Sequence, residues 1–252
     1  MRVMTGGPPL DLWGVDGTLQ PLRGGHRNRV FRLVGGGRDL VFKSTRRSEA
    51  AMAWLPPVLA WAQRSGFTVP DLVPSQNGRF VEDGWTCETY LEGSRLSAPL
   101  TLINPMISTF HSATTRIAQR PGFSETRALS GGDASGDIQM DLMPHAVAEA
   151  LLPEWTALRD LPHSVVHGDL TRANLIALPG GGVGLVDWDE ARVDATVFDT
   201  SQTEAVPIPV KVERALTAWE CAACWKIEPA RARDLATIFI PAHTGEGAPD
   251  AH

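Results

Sequence analysis

Two short apolar runs that each end on an acidic residue constrain this chain more than any other feature. They lie in HSVVHGDLTRANLIALPGGGVGLVDWDE, residues 163–190, separated by a polar stretch that contains a turn. Asp169 follows the first run, Asn174 comes five residues later, and Asp187 ends the second run, Val183 to Val186. Runs of this length and composition read as strands, and a hairpin would bring Asp187 beside Asn174. One loop can then present a carboxylate to a bound hydroxyl while an amide oxygen turns back toward a metal. Carboxylate and amide oxygens are hard donors of the kind Mg²⁺ takes. His163 and His167 are four apart, but that spacing pairs side chains on a helix and HSVVH is strand-like. His167 is therefore expected to brace the loop.

Around this segment the pattern is β-rich first and helical afterwards. RVFRLVGGGRDLVFKST reads as two short strands joined at Gly35-Gly36-Gly37. SEAAMAWLPPVLAWAQRSG reads as a helix capped by Ser48 and ending at Gly66. Pro56 and Pro57 lack N–H donors and must kink or split it. Turns at Asn77-Gly78 and Asp83-Gly84 mark further strands. Beyond Gly93 the chain is mainly helical, in NPMISTFHSATTRIAQ, DLMPHAVAEALLPEWTALRDL, VKVERALTAWECAACWK and EPARARDLATIF. This is an α+β pattern with a seam near residues 91–94.

The segment HGDLTRAN has the H-x-D-x-x-x-x-N spacing of kinase catalytic loops. Together with VDWDEA it resembles the Brenner-type motif of the aminoglycoside phosphotransferase and choline kinase superfamily. The resemblance runs from about Leu22 to Asp234. It implies a bilobal protein-kinase-like fold, with residues 1–91 as a nucleotide-binding lobe and 92–252 as the catalytic and substrate-binding lobe. It implies ATP and Mg²⁺, with Asp169 as catalytic base and Asn174 and Asp187 as metal ligands. Asp199, in VFDTS, is similar to a family aspartate that braces the catalytic loop, although ATVFDTSQ departs from the family's G-D-P-x-x-D-L-A wording. Gly168 stands where protein kinases carry Arg, which favours a small-molecule acceptor.

The N-terminal third fits the same resemblance. Gly24, Gly25 and Asn28, in PLRGGHRNRVFRL, match the family's G-G-x-x-N phosphate loop. Lys43, ending the strand LVFKS, corresponds to the phosphate lysine, with Glu49 as its ionic partner. Arg46 and Arg47 are read as solvated. WTCETYLEG resembles the hinge whose backbone meets adenine, near residues 88–91. His111, in FHSATTRIAQ, is read as a packing residue. GVDGTL, residues 14–19, suggests the D-x-D-G-T opening of aspartyl-nucleophile phosphatases, but Gly14 stands where the nucleophilic Asp must be.

The expected function is transfer of the γ-phosphoryl group of Mg-ATP to a hydroxyl of an aminoglycoside-, amino-alcohol- or sugar-like small molecule. The alternative is a catalytically weak, kinase-like regulatory protein that binds nucleotide. Helices between Asp137 and Asp160 and between Lys211 and Asp234 are expected to form the acceptor wall. Glu204, Glu213, Glu220 and Glu228 could make that wall acidic, or could form a solvated helix face. The identity of the acceptor and the oligomeric state are not legible.

Composition sets limits. The 252 residues are 43% hydrophobic and carry a formal net charge of -6, which argues against a nucleic-acid partner. No apolar run is long enough to cross a bilayer and MRVMTGGPPLDL lacks an apolar signal core, so the expected location is cytoplasmic. Cys221 and Cys224 form a C-x-x-C without a second pair, and are read as core residues of a helix.

Overall fold

The computed structural model describes residues 6–22, 28–203 and 207–240. The first elements are α1 (Leu10–Trp13), β1 (Thr18–Pro21), β2 (Val30–Val34), β3 (Leu40–Ser44), α2 (Glu49–Ala53) and α3 (Leu55–Arg64). Next come β4 (Phe67–Thr68), β5 (Trp85–Thr89), β6 (Ser94–Arg95), α4 (Asn104–Thr114), β7 (Ala134–Ser135), β8 (Ile138–Gln139) and α5 (His145–Leu151). The chain continues with β9 (His163–Val166), β10 (Leu175–Ala177), β11 (Val183–Leu185) and β12 (Arg192–Ala195). It closes with α6 (Val197–Thr200), α7 (Val210–Cys224) and α8 (Pro229–Ala236). The fold is α+β, as the β-rich first third and helical remainder imply.

The chain divides into two compact units, residues 1–125 with 161–207 and residues 126–160 with 208–252. The first carries an antiparallel sheet in the order β1-β2-β3-β5. Strand residues alternate between faces. Leu40, Phe42, Trp85 and Cys87 bury one face together with Trp13. Lys43 therefore stands on the other face, opposite Val30 on one side and Thr86 on the other. The Ser48 hydroxyl accepts a hydrogen bond from the Ala51 N–H at 3.2 Å and starts α2. The helix breaks at Trp54, and Pro56 and Pro57 fall in the first turn of α3, where no N–H donor is needed. The expected split of the helix at this pair is what forms.

A second sheet of the same unit runs β4-β11-β10-β6; the second apolar run forms β11, but its hairpin partner is β10, from the stretch read as polar, with Leu175 opposite Leu185. β9 pairs antiparallel with β12, Val165 facing Val193. Leu55, Val58, Leu59, Ile107 and Phe110 from α3 and α4 close over Val165, Leu170, Leu175 and Trp188. Each such fully buried side chain contributes about 1.5–3 kcal/mol, so the two loops that leave β9 and β11 spring from a rigid base.

In the second unit α7 packs on α8 and on the 3₁₀ turn at Leu152–Leu158. Ala215, Ala218 and Ala222 give α7 a small-residue face, and Leu151, Trp155 and Leu158 are buried in the same unit. Arg214 donates to the Glu154 carboxylate across that packing. Cys221 and Cys224 are buried on α7, in keeping with the core reading.

Candidate active site

β9 delivers His167, Gly168 and Asp169 to its open end. Gly168 has φ +82°, and a Cβ there would lie 2.7 Å from the Glu190 carbonyl oxygen and 2.8 Å from Arg192 Nη1. A side chain fits neither the backbone nor the space. Asp199, at the start of α6, holds the loop from behind. Its Oδ2 accepts from the His167 N–H at 2.9 Å and its Oδ1 from the Gly168 N–H at 3.0 Å. His111 Nε2 donates to the same Oδ2 at 2.9 Å. Burial of this fully enclosed carboxyl works against its charge, but the His111 hydrogen bond and the neighbouring histidines outweigh it and leave its pKa lowered. His111 is thus buried, and it anchors Asp199 rather than the chemistry.

His167 braces the loop as expected. Its Nε2 lies 3.0 Å from the Val186 carbonyl oxygen, so that nitrogen carries the proton, and Nδ1 accepts from the Asp169 N–H at 3.3 Å. The same histidine therefore ties the end of β11 to the start of the Asp169 loop. Asn174 completes the link. Its Nδ2 donates to the Asp169 carbonyl at 2.8 Å and to Asp169 Oδ2 at 2.9 Å. The Val186 N–H donates to the Asn174 carbonyl at 3.0 Å, which sets Asp187 next to Asn174. Asp187 adopts a left-handed backbone, φ +67°, unusual for a residue with a side chain.

Lys43 reaches this group from the sheet. Its Nζ lies 2.8 Å from Glu88 Oε1 and 3.6 Å from Asp187 Oδ1. Lys43 and Glu88 are diagonal neighbours on one face of the β3–β5 pair. Burial pulls the Lys43 ammonium down, yet Glu88 and Asp187 more than reverse this and its pKa is raised. Burial pushes the Glu88 carboxyl up, with Lys43 drawing it back. Asn28 lines the same cleft as Lys43, Glu88 and Asp187, walled on its apolar side by Met52, Leu55, Leu59 and Leu72.

The expected pair between Lys43 and Glu49 does not form. The Glu49 carboxylate instead accepts from the Phe80 N–H at 3.0 Å and the Val81 N–H at 2.8 Å. It satisfies a loop backbone, while the register of β3 on β5 offers Glu88 to the lysine. Gly24 and Gly25 lie outside the described residues. In the hinge-like segment, Thr89 N–H donates to the Asp71 carbonyl at 2.9 Å and Tyr90 N–H to the Asp39 carbonyl at 3.0 Å.

Residues 18–203 match the phosphotransferase enzyme family, most of the chain and all of the residues just described. The chain belongs to that family. It is 25% identical over 201 residues to a homoserine kinase from Gluconacetobacter diazotrophicus. That match takes in 68% of this chain and 59% of the relative, so the chain spans less than two thirds of that protein. A macrolide 2'-phosphotransferase structure from Brachybacterium faecium superposes with a TM-score of 0.54 at 17% identity, covering 97% of this chain and 100% of that one. A choline kinase structure from Streptococcus pneumoniae gives a TM-score of 0.54 at 13% identity, covering 86% of each chain. At such identities these likenesses speak for the shared kinase-like fold.

This member of the phosphotransferase enzyme family also buries two arginines that the sequence did not single out for the site. Arg47 was read as solvated and is not. Its Nη2 donates to Asp189 Oδ2 at 2.9 Å and to Glu190 Oε1 at 3.0 Å. Its place in the run KSTRR hid this, because a charge run says nothing of which member points inward. Arg120 is fully buried, and Nη1 donates to the carbonyls of Trp188 at 3.3 Å, Asp189 at 2.7 Å and Ala191 at 3.0 Å. Backbone carbonyls leave no mark in a sequence, so no motif could have announced it.

Of the acidic residues read as either an acidic acceptor wall or a solvated helix face, Glu220 on α7 pairs with Arg231 on α8, and Glu213 stands exposed on α7. Glu204 lies outside the described residues. The pairing of Glu220 weakens the case for a uniformly acidic surface. Among the described residues no helix is long and apolar enough to cross a membrane.

Proposed function

We propose that this chain is an ATP-dependent small-molecule kinase, with residues 1–91 as the nucleotide lobe and 92–252 as the catalytic and acceptor lobe. The observation that carries the reading is the convergence of Asp169, Asn174 and Asp187. Hydrogen bonds from Asn174 to Asp169, and from Val186 to Asn174, link them into one group.

The donor set suits the metal that the reaction needs. Asn174 turns its amide nitrogen to Asp169, which leaves its amide oxygen as a hard donor, and Asp187 adds a carboxylate. Asn174 and Asp187 would hold Mg²⁺. Bound there, Mg²⁺ supplies charge neutralisation to the phosphate oxygens. Lys43 offers an ammonium to the same oxygens, exchanging Glu88 and Asp187 for phosphate. Asn28, with Gly24 and Gly25 before it, would cover the phosphates.

Asp169 would orient the acceptor hydroxyl and take its proton. The hydroxyl oxygen forms a bond to the γ-phosphorus while the bond from that phosphorus to the β–γ bridging oxygen breaks, and ADP leaves with the electron pair. The amide of Asn174 holds Asp169 Oδ2, so Oδ1 is the oxygen proposed to face the hydroxyl. Asp199 contributes by fixing the loop backbone and does not touch substrate.

Amino alcohols, hydroxy amino acids, sugars and aminoglycosides form the acceptor set, and the homoserine kinase relative supports including homoserine. A cytoplasmic location goes with dependence on ATP. Release of ADP from Mg-ATP, measured across that set, tests the reading. Acceptor-dependent ADP release well above the rate with water alone supports it. Rates equal to the water rate for every acceptor would count against it.

A further inference from the structure

We propose that Arg47 and Arg120 are positioning residues that fix the Asp187 loop against α2 and so set its affinity for the divalent metal. The proposal rests on the reading of Asn174 and Asp187 as the metal pair. Arg120 sits at the centre of the arrangement. Besides the three carbonyls after Asp187, its Nε donates to the Ala51 carbonyl of α2 at 3.0 Å. One rigid fork therefore joins the helix that follows the Lys43 strand to the loop that carries Asp187. Burial draws the Arg120 pKa down to about 10, a sign of how much hydration the guanidinium gives up. The guanidinium donates to four backbone carbonyls, with the Asp189 and Glu190 carboxylates near by.

Arg47 makes the second tie. It reaches from the segment between β3 and α2 to the carboxylates of Asp189 and Glu190. The Phe123 ring lies under both guanidinium groups, 5.1 Å from that of Arg47 and 4.8 Å from that of Arg120.

A loop held this firmly has a use at Asp187. A left-handed residue with a side chain is strained and persists only where its surroundings over-determine it. Asp187 has φ +67°, and the residues directly after it are those that Arg120 and Arg47 grip. Mg²⁺ tolerates little departure from its preferred geometry, so a relaxed loop would present a poorer ligand. The α2 segment has no substitute tie through Lys43 and Glu49, which do not meet.

The test titrates Mn²⁺ into the full chain in the presence of a fixed concentration of ATP analogue, with bound metal read by electron paramagnetic resonance. Wild type is compared with Arg120→Lys and Arg47→Gln, each checked for folding by circular dichroism. Lysine keeps the charge of Arg120 but cannot span the carbonyls of Ala51 and Ala191. Metal affinity is expected to fall by about 10- to 100-fold in the variants, the usual effect of removing a ligand's support. Nucleotide affinity without metal should stay at the wild-type value, and turnover should recover as Mg²⁺ is raised. Folded variants with lowered melting temperature and unchanged Mn²⁺ affinity would assign the arginines to stability alone and overturn the proposal. Wild type that binds no Mn²⁺ beside nucleotide would instead overturn the metal reading itself, and this proposal with it.

Discussion

The carboxylate of Asp199 holds the Gly168 N–H at 3.0 Å across thirty-one residues of chain, and through its other oxygen it holds the His167 N–H. Two donors next to Asp169 are thereby fixed by one buried charge. The Asp199 pKa is lowered from its ordinary value of 3.8. A carboxyl with a depressed pKa in the folded state stabilises the fold above its unfolded pKa, and the contribution fades as pH falls through the folded value. Denaturant unfolding of wild type and Asp199→Asn should therefore differ most at neutral pH. The difference should shrink as the pH drops below about 4. A gap that widens with acidification would contradict the assigned state of Asp199.

Gly168 makes a separate prediction. Gly168→Ala must place a methyl 2.7 Å from the Glu190 carbonyl oxygen on a backbone at φ +82°. It should cost at least about 1 kcal/mol of stability. Turnover should fall with it, because the displaced peptide carries Asp169. An Ala variant with wild-type melting temperature and turnover would mean that the close approach is not needed.

Lys43 and its two candidate partners are separated by a double-mutant cycle. Lys43→Ala should weaken ATP binding. The coupling between Lys43→Ala and Glu88→Gln in stability should exceed about 0.5 kcal/mol, as expected of residues in contact. Lys43→Ala and Glu49→Gln should be additive, since Glu49 serves the Phe80 and Val81 N–H groups. Glu49→Gln should instead destabilise the fold by about 1–3 kcal/mol, the cost of weakening a charged acceptor for two N–H donors. Strong coupling of Lys43 to Glu49 would mean that the lysine changes partner in solution.

The convergence of Asp169, Asn174 and Asp187 was legible because its parts are local. Asp169, Asn174 and Asp187 lie within nineteen residues, and two apolar strands fix their spacing. Asp199 was legible only through family resemblance, since its partners are N–H groups far along the chain. The Lys43–Glu88 pair was missed because it depends on the register of β3 against β5, which alternation alone does not set. Arg120 was invisible because its partners are carbonyls that every residue possesses. The break at Trp54, just ahead of Pro56 and Pro57, and the Ser48 cap were readable, because each follows from local backbone donors.

The central claim, phosphoryl transfer with Asp169 as base, is tested most directly by mass spectrometry. Wild type and Asp169→Asn would each be incubated with Mg-ATP and the acceptor set of amino alcohols, hydroxy amino acids, sugars and aminoglycosides. Wild type should yield one acceptor heavier by a single phosphoryl group. Asp169→Asn should form it about two to four decades more slowly, the usual worth of a positioned base, with ATP affinity unchanged. Equal product from both proteins would remove Asp169 from the role, and no phosphorylated acceptor from wild type that binds ATP would contradict the account.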